Sequence, residues 1–223
     1  MADQLALYQV YYDEKQKEKL YPFAIPYFNK EVTPFFENSV IAEIVPSCTA
    51  EKIGVVSWRL SHKRGDMFQL TDKTLTAEKI INTEFDVAIL TPRGPSHKPL
   101  EMAAHWHGEP WLKAFKVFKN FLRGQLCIRV PEELKRSVYE NHFVAKREIY
   151  QQYVSECLKP SIEFMKGEEV FFIDAGYAKR KSEADKKKYF EKTGRQDWPI
   201  APFILERLFS IWIEGRNYKI IPL

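Results

Sequence analysis

A chain of 223 residues is long for one domain and short for two, so a single domain with a sizeable core is the expectation. Its net charge of +4, from 34 basic and 30 acidic residues, is too weak a bias for a dedicated nucleic-acid binder, which concentrates a denser basic patch. The mixture of 45% hydrophobic and 29% charged residues is that of an ordinary globular protein, and no run approaches the roughly 18 apolar residues of a membrane span.

The three cysteines, Cys48, Cys127 and Cys157, are odd in number and lack metal-type spacing, which argues against a disulfide framework and suits a reducing compartment. The N-terminus has no basic head followed by an apolar stretch, so no signal peptide is expected.

In chain order, Leu5 to Tyr12 is rich in strand-favouring residues and reads as the first strand. Tyr21 to Phe28, with two prolines and several rings, reads as an ordered loop. Thr33-Pro34 reads as the cap and first position of a helix, with Glu37 near its start and Phe36, Val40, Ile41 and Ile44 on its apolar face. Ile53 to Trp58 reads as a buried strand, Leu75 to Asn82 as a helix, and Phe85 to Leu90 as another buried strand ending in the loop Thr91-Pro92-Arg93-Gly94-Pro95. This alternation predicts an α/β fold with a mostly parallel sheet.

The second half reads as helix-rich. Helices are predicted over Lys98 to His107, Trp111 to Phe121 and Pro131 to Tyr139. Another begins at Arg147, with Ile149, Tyr150, Tyr153, Val154, Cys157 and Leu158 at helical spacing. Val170 to Ile173 reads as a strand, and Ala178 to Arg195, charged and poor in apolar anchors, as a mobile or ligand-ordered loop. Ala201 to Ile213 reads as a helix, followed by a short strand over Tyr218 to Ile221. The division expected is an α/β half over 1–95 and a helical half over 96–223 within one domain.

Ligands of open α/β sheets bind beyond the carboxyl ends of the strands. Three such ends are predicted here: Tyr11-Tyr12-Asp13; Ser57-Trp58-Arg59, leading to His62 and Lys63; and Thr91-Pro92-Arg93. Together they would gather rings that can stack on a base or sugar, and cations that suit phosphate oxygens. His105 and His107 are two positions apart and so do not share a helix face, which argues against joint metal coordination. Glu206 and Arg207 interrupt the apolar face formed by Ile204, Leu205, Leu208, Ile211 and Trp212. Charges in such surroundings are either paired or open onto a cavity. The chain has no Walker-type loop, no GxGxxG and no Asp-x-Asp at a strand end.

In four stretches the chain resembles the bacterial glycosyltransferase-like proteins of exopolysaccharide and capsule gene clusters and the related lipopolysaccharide-type transferases. They are LYQVYYDEK; IGVVSWRLSHK; FDVAILTPR followed by EMAAHWHGEPW; and NHFVAKREIYQQYVSECLKP with PFILERLFSIWIEG, in that order along nearly the whole chain. The resemblance implies a glycosyltransferase A-type, Rossmann-like fold and a nucleotide-sugar-dependent transferase, with Trp58, Arg59, Asn141, Glu206 and Arg207 near the site.

The function expected is therefore transfer of a sugar from a nucleotide-sugar donor to an acceptor hydroxyl on a glycan, a lipid-linked glycan or a modified nucleic-acid base. The donor would lie against Tyr11, Tyr12, Trp58, Arg59, Lys63 and Arg93, with the diphosphate on the three cations in place of a metal. Glu206, beside Arg207, is the candidate general base or orienting group, and His107 or His105 the reserve base, with His105 and Asn141 on the acceptor side. Manganese or magnesium stays an open option despite the missing Asp-x-Asp. The location expected is cytoplasmic, peripheral at the inner membrane face if the acceptor is lipid-linked. A non-catalytic module binding nucleic acid or glycan with the same surface, and a structural or assembly protein, are the alternatives.

Overall fold

Leu5–Tyr11 forms β1, an almost wholly buried strand, and Glu14–Lys17 a single turn of helix, α1, capped by Asp13, whose Oδ1 accepts from the Gln16 amide at 3.1 Å. These and the elements below come from a computed structural model, which describes residues 3–61, 75–91, 99–134, 138, 140–176, 181–193 and 195–223. Ile25–Phe28 is β2, where the sequence suggested a loop. Its residues Ile25, Tyr27 and Phe28 are apolar or aromatic but largely exposed, and Pro26 interrupts the run, so the segment does not read as a buried strand. It forms because β1 offers a parallel hydrogen-bonding edge, pairing Tyr8 with Ile25 and Tyr11 with Phe28. Pro26 is tolerated because β2 lies at the edge of the sheet.

The first predicted helix is α2, Glu37–Ile44, and it starts later than Thr33-Pro34 suggested. Thr33 Oγ1 instead accepts from the Phe35 amide at 3.2 Å and closes a turn ahead of it. β3 is Lys52–Ser57, parallel to β1. It is followed by a 3₁₀ turn over Trp58–Ser61, then α3, Ala77–Asn82, with Thr76 as its cap, and β4, Val87–Ile89. Lys52 Nζ donates to the carbonyls of Ile80, Ile81 and Thr83 at 2.9, 2.7 and 2.9 Å, placing a cation at the carbonyl end of α3.

α4 runs from Pro99 to Gln125 and bends sharply at Gly108 (φ 59°, ψ −140°), just ahead of Pro110. The break expected at Gly108-Glu109-Pro110 is thus present, as a kink where two helical stretches meet. β5, Phe143–Lys146, has no counterpart in the sequence reading. It is buried on both faces and so shows no alternation, and it runs straight into α5, Arg147–Tyr153, with no turn residue to separate it from the helical pattern that follows. A π-helical turn, Val154–Leu158, joins α5 to α6, Lys159–Lys166.

Three further predictions need correction. Residues 131–134 are not helical. The strand expected over Val170 to Ile173 is a 3₁₀ turn, Glu169–Phe171, followed by a single bridge between Asp174 and Pro199. The loop expected over Ala178 to Arg195 contains a helix, α7, Glu183–Thr193. The Ser182 hydroxyl caps α7 by accepting from the Asp185 amide at 3.1 Å. α8 is Ala201–Ile213, as predicted, and β6 is Ile220–Pro222.

The six strands make one sheet in the order β2-β1-β3-β5-β4-β6. Five run parallel and β5 is reversed, so β5 and β6 from the second half complete the sheet begun in the first. Alternate residues supply two cores. Leu5, Leu7, Val56, Ala88 and Val144 pack on the α3 side. Ala6, Val10, Val55, Val87, Phe143 and Ala145 pack beneath α2, α4, α5 and α8. Ring stacking between Phe143 and Phe209, 3.8 Å apart, seats α8 on this second face. Gly54 marks the tightest point: a Cβ there would lie 2.5 Å from Leu7 Cδ1 and 3.0 Å from Val144 Cγ2. Among the described residues no helix is long and apolar enough to cross a membrane.

Candidate functional site

A cleft of about 480 Å³ opens beyond the carboxyl ends of β1 and β3, where open α/β sheets bind their ligands. β1 delivers Tyr12 and Asp13 to it, and the turn after β3 delivers Trp58 and Arg59. Gln9 sets the geometry of both chain ends. Fully buried on β1, its amide donates to the Ser57 and Trp58 carbonyls, each at 3.4 Å, and to Ser61 Oγ at 3.2 Å, while its oxygen accepts from the Tyr21 amide at 2.8 Å. The Arg59 amide donates to Ser57 Oγ at 3.1 Å. Trp58 is thereby held with cations on its ring, Lys19 Nζ at 5.5 Å and the Arg59 guanidinium carbon at 6.0 Å from the centroid.

Three glutamates share the lining with these cations. Glu37 stands in the first turn of α2, Glu140 precedes β5, and Glu206 projects from α8. Burial pushes the Glu37 carboxyl above its usual range; the Tyr12 hydroxyl and the Arg59 charge pull it back, and the Glu140 charge adds to the rise. Tyr12 is itself raised well above an ordinary phenol, first by burial and then by the Glu37 charge.

Three residues here hold left-handed backbone without being glycine: Phe36 (φ 51°), Glu140 (φ 55°) and Asn141 (φ 59°). Each such conformation costs on the order of 1–3 kcal/mol and persists where the surroundings over-determine it, a pattern that concentrates at functional sites.

α7 forms the outer wall, contributing Asp185, Lys188 and Tyr189. Lys188 Nζ reaches Asp13 Oδ2 at 2.6 Å. The Tyr189 ring stacks on Trp198 at 3.8 Å and on Phe36 at 6.3 Å. The helix has few apolar residues of its own, and these contacts dock it across the cleft.

Of the residues expected from sequence, Tyr12, Trp58, Arg59, Asn141 and Glu206 line this one cleft. Arg207 lies directly behind it. It is 3% exposed and pairs with Glu206 Oε2 at 3.2 Å. Its guanidinium also donates to the Phe203 carbonyl and sits 5.2 Å from the Trp111 ring centre. Glu206 therefore both faces the cleft and balances Arg207.

Tyr11 does not reach the cleft; it is buried against Phe28 at 5.3 Å, because successive strand residues point to opposite faces. His107 lies outside the lining as well, with Nδ1 2.9 Å from the Ala175 carbonyl and its ring 4.3 Å from Phe203. His105 is exposed beside Trp106. Lys63 and Arg93 lie outside the described residues.

Sequence reasoning passed over Gln9, Glu140, Tyr189 and Trp198, and read Glu37 only as a first-turn acid of its helix. The one available signal was the repeated dipeptide Glu-Asn at 37–38 and 140–141. Among the described residues no group of three or more His, Cys, Asp or Glu is arranged to hold a metal ion. No family model, curated protein or solved structure matches the chain.

Proposed function

We propose that this protein is a glycosyltransferase of the A-type, Rossmann-like class, moving a sugar from a nucleotide-sugar donor to an acceptor hydroxyl on a glycan, a lipid-linked glycan or a modified nucleic-acid base. The observation that carries the reading is the composition of the cleft. The cleft holds a tryptophan ring flanked by cations together with the carboxylates of Glu37, Glu140 and Glu206, beyond the carboxyl ends of the parallel strands β1 and β3. A nucleoside diphosphate needs an aromatic surface and positive charge for its base and phosphates. Activation of an acceptor hydroxyl needs a carboxylate beside it.

The charge balance favours this over a nucleic-acid groove. Lys15, Lys19, Arg59, Lys181 and Lys188 are matched by Asp13, Glu37, Glu140, Asp185 and Glu206. A polyanion would meet as many repulsive as attractive groups, whereas a small ligand carrying both phosphate and hydroxyl groups can use both signs. Arg59 and Lys19 would face the diphosphate, with Lys63 and Arg93 as further candidates, and His105, His107 and Asn141 remain candidates on the acceptor side. Three free thiols suit a cytoplasmic setting.

The test is a thermal-shift screen of the protein against UDP, GDP and their hexose conjugates, with and without manganese. A donor present at a hundred times its Kd adds about 2.7 kcal/mol, which for a chain of this size raises Tm by roughly 5–10 °C. A flat response across the panel, together with salt-sensitive binding of DNA, would replace the transferase with the binding module.

A further inference from the structure

One wall of the cleft is built from two copies of the same dipeptide. Glu37-Asn38 opens α2, and Glu140-Asn141 leads into β5. Both asparagines are buried, 1% and 2% exposed. Asn141 Nδ2 donates to Asn38 Oδ1 at 3.2 Å, and Asn38 Nδ2 donates to the Phe35 carbonyl at 3.1 Å. Breaking an amide pair away from water leaves unsatisfied polar groups, so this bond holds two segments 103 residues apart in fixed relation. The left-handed backbone at Phe36, Glu140 and Asn141 brackets the same two glutamates, and both line the cleft.

Glu206 has a different setting. Its Oε2 is 3.2 Å from Nη1 of a buried arginine. A proton taken up there would cancel the charge that balances the guanidinium, so Glu206 is poorly placed to accept one. Around Glu37 stand the Tyr12 hydroxyl from the end of β1, Arg59 from the turn after β3, and Glu140, which itself stands 3.9 Å from the buried His142 ring. Burial raises the Glu37 carboxyl towards neutrality, which makes it a better-matched base than an exposed glutamate.

Resting on the transferase reading above, we infer that Glu37 is the general base for the acceptor hydroxyl, held beside Glu140 by the Asn38–Asn141 hydrogen bond, and that Glu206 serves as counter-ion and orienting group on Arg207. The acceptor oxygen bonds to the anomeric carbon of the donor as its proton passes to a Glu37 oxygen. The bond from that carbon to the diphosphate breaks, and the electron pair leaves with the nucleoside diphosphate, whose charge faces Arg59 and Lys19. With water in place of the acceptor, the same proton transfer gives slow donor hydrolysis, so nucleoside diphosphate release reads the step without a known acceptor.

The experiment measures that release from UDP- and GDP-hexoses as a function of pH, alongside nucleoside diphosphate affinity and Tm. Glu37→Gln is expected to lower turnover by about 100- to 10,000-fold, to retain nucleoside diphosphate binding, and to raise Tm above neutral pH, because a carboxylate that is costly to ionise where it sits becomes neutral. Glu140→Gln removes a like charge and moves the acid limb of the rate profile to lower pH. Glu206→Gln lowers Tm and leaves that limb in place. Wild-type turnover in Glu37→Gln, or loss of the acid limb in Glu206→Gln, overturns the assignment while leaving the transferase intact. A wild-type protein that neither binds nor turns over any member of the panel overturns the transferase reading and this one with it.

Discussion

Replacing Glu206 by leucine removes the counter-charge of a cation that the fold has almost entirely withdrawn from water. Arg207 is 3% exposed, and its guanidinium is held by Glu206, by the Phe203 carbonyl and against the Trp111 ring. Breaking one side of a buried pair typically costs about 3–5 kcal/mol. Here the carboxylate keeps 22% of its side-chain exposure, and Arg207 retains the Phe203 and Trp111 contacts. The expected cost therefore falls to about 2–3 kcal/mol, which for a chain of this length is a fall in Tm of roughly 4–12 °C. Urea titration of the wild type, Glu206→Leu, Arg207→Met and the double variant gives the coupling directly. The double variant is expected to be more stable than the sum of the two single losses predicts, by about 1–3 kcal/mol. A coupling below about 0.5 kcal/mol would mean that the pair behaves as a solvated surface pair. In that case the argument that Arg207 ties up Glu206, and with it the case for Glu37 as the base, fails.

Gly54→Ala places a methyl group against Leu7 and Val144 at the centre of the sheet and is expected to cost about 1–3 kcal/mol, read by denaturant unfolding. Asn141→Ala loses the bond to Asn38 and keeps the left-handed strain, whereas Asn141→Gly loses the bond but relieves the strain, so glycine should be the milder change by about 1 kcal/mol. Asp86 is held below the usual carboxylate range by the Lys146 ammonium at 2.8 Å and the Lys219 amide. Its folded pKa is depressed, so its contribution is present above the unfolded value and is lost as pH falls through the folded one. Asp86→Asn is therefore expected to flatten the loss of stability below about pH 4 by less than about 1 kcal/mol. In a thiol titration Cys127, which is exposed, should react at once, and the buried Cys48 and Cys157 only on unfolding; burial also pushes the Cys157 thiol well up.

The sequence by itself determined the elements whose evidence is local. The runs Leu5–Tyr11 and Lys52–Ser57 declare buried strands through apolar side chains, and Ala201–Ile213 declares a helix through its wide apolar face. The same local pattern identified the strand ends, and hence Tyr12, Trp58 and Arg59, because a residue just past a buried parallel strand has only the crevice to face. Tertiary structure alone decided what depends on a partner far along the chain. β2 exists because β1 offers it hydrogen bonds, and the basic segment around Lys188 is a docked helix because Asp13, Phe36 and Trp198 receive it. Glu206 and Arg207 were visible as charges in an apolar run, but their split roles, one towards the cleft and one behind it, follow from the packing of α8 against Trp111 and Phe203. The meeting of Glu37 with Glu140 rests on a hydrogen bond across 103 residues. No spacing rule can encode such a bond, because it forms only after the sheet has brought α2 and β5 together.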